Sequence, residues 1–170
     1  RHGPISAEAG PAGIRDQARA LSGALFHISL HGYPAHEWLR PLNGYLPRGY
    51  EDWTLPRGFR LILRHHPGWA APARRLIEGV AARLGQLPGL TDFNHAQIAL
   101  AQRLGVGPGE MIGGFSCRLD ENARMPLPLV LVTDYPDETL SGEAFIAAHE
   151  AQRAATIAAY EAFQDLDSWD

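Results

Sequence analysis

Hydrophobic positions recur along this chain in two rhythms. Over 24–31, Phe26, Ile28 and Leu30 repeat at period two, the pattern of a buried strand, and Gly32 breaks it. The alternation returns over 58–65, where Phe59, Leu61 and Leu63 interleave with Arg60, Ile62 and Arg64. His66-Pro67-Gly68 then predicts a turn, with His65 and His66 lining it. Over 70–85 the period lengthens, and Ala73, Leu76, Ile77, Val80 and Leu84 fall on one face of a helix. Pro88-Gly89 closes that unit, and Thr91 or Asp92 can cap a further helix through Leu104. The glycine cluster 105–109 reads as a turn. No strand leads into it and no Lys follows, so it lacks the setting of a phosphate loop. Segments 110–119 and 127–134 predict two strands that pair around the loop 120–126. The last helix is expected over about 142–164. Its Ala144, Ala148, Ala151, Ala155, Ala158 and Ala162 form a small-residue face that lets the helix lie close on a sheet.

Other segments have no such rhythm. Residues 1–13 are rich in Gly and Pro and read as a loop or frayed end, followed by a short helix over 14–23. Residues 32–58 are dense in Gly, Pro and aromatics, among them Tyr33, Trp38, Tyr45, Tyr50 and Trp53. A long aperiodic stretch of this kind is either the rim of a binding site or a packed irregular loop. Strands alternating with helices predict an α/β class, a mixed sheet flanked by helices. In such folds sites collect at the carboxyl ends of parallel strands. His31 and Asp134 stand at two predicted strand ends and share one rim if those strands are parallel.

Composition narrows the function classes. A chain of 170 residues with 45% hydrophobic residues suffices for one core. No apolar run approaches the roughly 20 residues that span a bilayer, so no membrane partner is expected. The net charge of −4 gives no basic footprint for nucleic acid. Charge is unevenly spread, however. All the basic residues are Arg, and the first 85 residues carry a net +5 against −9 in the rest. Association of the two halves within one domain is the simplest use of that asymmetry. The single cysteine, Cys117, excludes an intrachain disulfide and reads as a small core residue. The chain opens on Arg1, which leads to the expectation that its natural N-terminus is processed or encoded elsewhere.

Two short segments carry a resemblance. Leu30-His31-Gly32-Tyr33 resembles the hydrophobic strand ending in Leu/Ile-His-Ser-Tyr of the carboxypeptidase A-like zinc metallocarboxypeptidases. Val130-Leu131-Val132-Thr133-Asp134 resembles the strand that ends in that family's catalytic carboxylate. Gly142 follows Asp134 by eight residues, Phe145 is close, and a long helix pattern comes after, as in the family. The likeness covers 24–164 in outline and about 25 residues in detail. It implies that 24–170 is the C-terminal portion of a carboxypeptidase-like catalytic domain, part of a three-layer phosphorylase/hydrolase-like fold, with 1–23 a loop and short helix before it. It further implies zinc as cofactor, His31 as the third metal ligand, Asp134 as catalytic carboxylate and Tyr33 as a substrate-binding residue.

The departures from the family are also specific. The family's base is Glu, and Asp134 is one methylene shorter; Glu138 is the nearby alternative. No Tyr lies between 51 and 134, where the family carries a substrate-binding one. The His-x-x-Glu motif that supplies the first two ligands is absent, as is the Asn-Arg pair that holds the substrate carboxylate. The expectation is therefore a separate or lost N-terminal portion carrying His-x-x-Glu. The resemblance implies hydrolysis of a C-terminal peptide bond. Two alternatives stand beside it: an N-acyl deacylase of the aspartoacylase type, acting on an acyl-amino-acid substrate, and a non-enzymatic α/β module binding a partner through the aromatic 33–56 stretch. A local metal site from His27, His31 and His36 has little support in strand spacing, and His149-Glu150 lacks the second His of a His-Glu-x-x-His pattern.

Overall fold

The computed structural model describes residues 17–18, 21–33, 55–103, 105–136 and 140–167. Glu138, His36 and most of the aromatic stretch lie outside them. The elements run β1 (Phe26–Tyr33), β2 (Arg60–His65), α1 (Ala70–Leu84), α2 (Leu90–Arg103), β3 (Glu110–Ile112), β4 (Phe115–Glu121), β5 (Leu129–Pro136) and α3 (Gly142–Asp167). The strands form one sheet in the order β1-β5-β2-β4-β3. β1 is parallel to β5 and β2 to β4, whereas β2–β5 and β3–β4 are antiparallel. The architecture is thus α/β, a mixed five-stranded sheet flanked by helices and consistent with a three-layer fold.

The period-two pattern sorts residues onto the two faces. Phe59, Leu61, Leu63, Leu129, Leu131 and Tyr135 join the apolar faces of α1 and α3, and Leu90 at the start of α2, in one core. Tyr135 anchors that core, its ring stacked on Phe93 with centroids 5.5 Å apart and tilted against Phe59 at 5.8 Å. Cys117 is buried in the same core, and burial pushes its thiol up to about 12. The opposite face carries only a small apolar cluster, Ile62, Leu127, Val130 and Val132.

The alanine face of α3 packs chiefly on α1, and touches the sheet at β1 and β5. Ala151, Ala155, Ala158, Ala159 and Ala162 are buried there, while Ala144 is exposed. Gly79 completes the close approach. A Cβ at that position would stand 3.1 Å from the Ala162 Cβ.

Three sequence expectations need correction. The segment 110–119 is not one strand. Gly113 and Gly114, both with positive φ, turn the chain between β3 and β4. Two consecutive positive-φ residues are what a two-residue type I′ hairpin requires. Nor do the strands on either side of 120–126 pair with each other. β2 lies between β4 and β5, and the connection passes the end of β2. There Asn122 N–H donates to His65 O at 2.8 Å and His66 N–H to Pro128 O at 3.0 Å. Finally, α2 begins at Leu90, ahead of both expected capping residues, with Phe93 N–H donating to Gly89 O.

His65 and His66 do line a turn. His65 Nδ1 is 2.9 Å from His66 O, and His66 Nε2 is 2.6 Å from Met125 O.

Candidate functional site

β1 and β5 run parallel in register, so His31 stands directly abreast of Asp134 near their carboxyl ends. Both side chains point to the face opposite the main core, because Phe26, Ile28, Leu129 and Leu131 alternate with them toward it. His31 Nδ1 lies 4.0 Å from Asp134 Oδ1. The imidazole is 41% exposed and the carboxylate 9%. His31 Nε2 is 2.9 Å from Ser29 Oγ, which shares its face two residues earlier on the strand.

On the other flank of Asp134 stands Arg60 of β2, paired with it in the antiparallel register. Arg60 Nη2 lies 3.8 Å from Asp134 Oδ2. Burial raises the Asp134 carboxyl above the usual carboxylate range, while Arg60, then His31 and Arg64, pull it back down. Burial likewise lowers the Arg60 guanidinium, and Asp134 opposes that shift.

The rim is braced from the helix side. Gln152 of α3 donates from Nε2 to His31 O at 2.9 Å and accepts from the buried Thr133 hydroxyl at 2.5 Å. One amide thus ties together the residue flanking Asp134 and the backbone of His31. A small cavity of about 260 Å³ adjoins it, lined by Leu30, His31, Tyr135, Phe145, His149 and Gln152 among others. His149, expected on a solvated face, is exposed and lies against Phe145 with ring centroids 4.2 Å apart.

Tyr33 is buried. Its hydroxyl donates to Gly58 O at 3.0 Å and accepts from Arg57 N–H at 2.9 Å. Burial raises its pKa strongly. Tyr33 therefore fixes the segment that leads into β2 and sets the backbone from which Arg57 and Arg60 project. Glu138, the alternative base, lies outside the described residues.

Catalytic zinc takes three protein ligands and keeps one position for water. Among the described residues no three His, Cys, Asp or Glu side chains gather closely enough to hold a metal. The rim offers an imidazole, His31, beside a carboxylate, Asp134, and both are donor types that zinc accepts. His27 faces the same side as His31, and its neighbour in β5 is Val130.

Arg60 and Gln152 were not marked by sequence reasoning. Arg60 reads there as the polar phase of an alternating strand, and Gln152 as one polar residue on a long helix. The position of Arg60 opposite Asp134 follows only once β2 is known to pair with β5. No helix among the described residues is long and apolar enough to cross a membrane. Comparison with protein-family models, curated proteins and solved structures finds nothing that matches this chain.

Proposed function

We propose that this chain contributes part of the active site of a zinc-dependent hydrolase that cleaves a C-terminal peptide amide bond. The observation that carries the reading is the in-register adjacency of His31 and Asp134 near the carboxyl ends of two parallel strands. His31 serves as one metal ligand, held on a strand and therefore precisely aimed. The remaining two ligands come from a His-x-x-Glu segment outside this chain. A zinc ion held there by His31 and the two outside ligands would supply Lewis acidity for the scissile carbonyl and for a water molecule.

Asp134 is the proton carrier. Its desolvation makes it a stronger base than an exposed aspartate, which suits it to take the proton of the attacking water. As the C–N bond breaks, that proton passes to the leaving amine nitrogen. Arg60 keeps Asp134 ionised and orients it. Gln152 holds the two strand ends together.

The test is a native mass spectrum of the purified assembly, followed by variants. One zinc in a complex with a second polypeptide is expected. His31→Ala should then lose both metal and turnover, and Asp134→Ala should keep the metal and lose turnover. A metal-free species at 18.6 kDa, or retained zinc and turnover in His31→Ala, would sink the reading. An unchanged rate in Asp134→Ala would move the base to Glu138.

A further inference from the structure

The face of the sheet away from the main core has a second feature beside His31 and Asp134. Arg60, Ile62 and Arg64 alternate on β2 toward this face, and Ser116, Arg118 and Asp120 on β4 stand abreast of them in the parallel register. Arg60 and Arg64 are therefore about 13 Å apart along the strand, with Arg118 beside the midpoint. Arg57, fixed by Tyr33, completes the lining of a groove of about 650 Å³. That volume lies in the range of small-molecule sites, roughly 300–1,000 Å³.

The charges in this groove do not balance. Glu110, at its edge, is held by Arg74 of α1 at 2.5 Å. Asp120 is held by Arg118 at 2.7 Å, and Asp134 is approached by Arg60. Among the described residues neither Arg57 nor Arg64 makes a close ion pair, and Arg64 acts on Asp134 only at longer range. The Nε groups of Arg57 and Arg60 are buried with no hydrogen-bond partner. A buried donor left unmade costs about 1–3 kcal/mol, more when charged. Clustering cations on one wall adds repulsion, and Arg57 and Arg118 both push the Arg60 guanidinium down.

We infer that this groove binds a small ligand carrying two or more oxyanion groups, carboxylate or phosphate, through Arg57, Arg60, Arg64 and Arg118. Guanidinium forks match both anions with paired N–H donors. Four guanidinium groups on one groove wall favour a ligand with more than one charged group over a single ion. The inference does not depend on hydrolysis. If both hold, Arg60 links them, because it lines the groove and touches Asp134.

The test is calorimetric titration of the full chain with citrate and, separately, pyrophosphate at low ionic strength. Saturable one-to-one binding is expected, weakening as salt is added. The double variant Arg64→Gln, Arg118→Gln should weaken it at least about tenfold, since charge-assisted hydrogen bonds are lost at exposed positions that do not support the core. Arg153→Gln, on α3 and away from the groove, should bind as the wild type does. A preference for citrate names a polycarboxylate ligand, and a preference for pyrophosphate names a phosphate ligand. Failure of both probes to saturate, or equal binding by the double variant, would overturn the inference. Neither result bears on zinc or turnover, so the hydrolase reading stands or falls separately.

Discussion

Asp134 is pulled in two directions, and each can be measured. Burial favours its protonated form, while Arg60 and His31 favour the ionised one. Removing Arg60 as Arg60→Gln leaves burial less opposed, so the Asp134 carboxyl titrates at higher pH in the variant. A carboxylate must be ionised to accept a proton, so the acid limb of any rate profile moves upward with it. Carboxyl-carbon NMR can follow the midpoint without turnover, and an unmoved midpoint would break the proposed coupling. Stability follows from the same sign. Because the folded pKa is raised, Asp134 contributes most when protonated, and that contribution is lost as pH rises through the folded pKa. Urea unfolding should therefore show Asp134→Asn gaining on the wild type between acid and neutral pH. Gln152→Leu leaves the buried Thr133 hydroxyl without its acceptor and should cost about 1–2 kcal/mol in the same assay. That His31 and Asp134 share one rim was legible in the sequence, although both strands run two residues past the ends the pattern predicts, to Tyr33 and Pro136. Arg60 and Gln152 were not, because what matters about them is the partner they meet across the sheet.

The elements themselves were mostly readable, and their neighbours were not. Alternation located β1, β2 and β5, and the longer period located α1 and α3, because burial of one face imposes each rhythm locally. Nothing local states that β2 inserts between β4 and β5. That order arises from which apolar faces fit the helices, and from the backbone bonds at His65 and His66. The Gly113-Gly114 hairpin has a signal, two glycines between hydrophobic residues, but the apolar residues on both sides also fit one longer strand. Asn94 of α2 shows how such joins are secured. Its Oδ1 accepts from Phe59 N–H at 2.7 Å, and its Nδ2 donates to Phe59 O and Gly114 O. One buried amide thus ties α2 to the entry of β2 and to the hairpin. Gly58 makes room for it, since a Cβ there would stand 2.6 Å from Asn94 Oδ1. Asn94→Leu strands those buried backbone groups and should destabilise the fold by more than about 2 kcal/mol in equilibrium unfolding. A loss within about 0.5 kcal/mol would mean that the hairpin and β2 hold without it.

Across the molecule, the charge asymmetry of the two halves finds its use. Arg74 meets Glu110, Arg83 meets Glu161 and Asp165, and Arg60 approaches Asp134, so each of these pairs joins the basic first half to the acidic second half. These contacts orient the halves but supply little of the holding energy, because most are exposed. Holding comes from the close seam between α1 and α3, where Gly79 and the buried alanines leave no spare volume. Two substitutions separate these contributions. Arg83→Ala removes both bridges to α3 and should cost at most about 1 kcal/mol, an effect that fades with salt. Ala155→Leu forces three carbons into a fully buried position and should cost about 1–3 kcal/mol at any ionic strength. If unfolding at high salt instead showed Arg83→Ala as the larger loss, charge pairing rather than packing would be what holds the halves together.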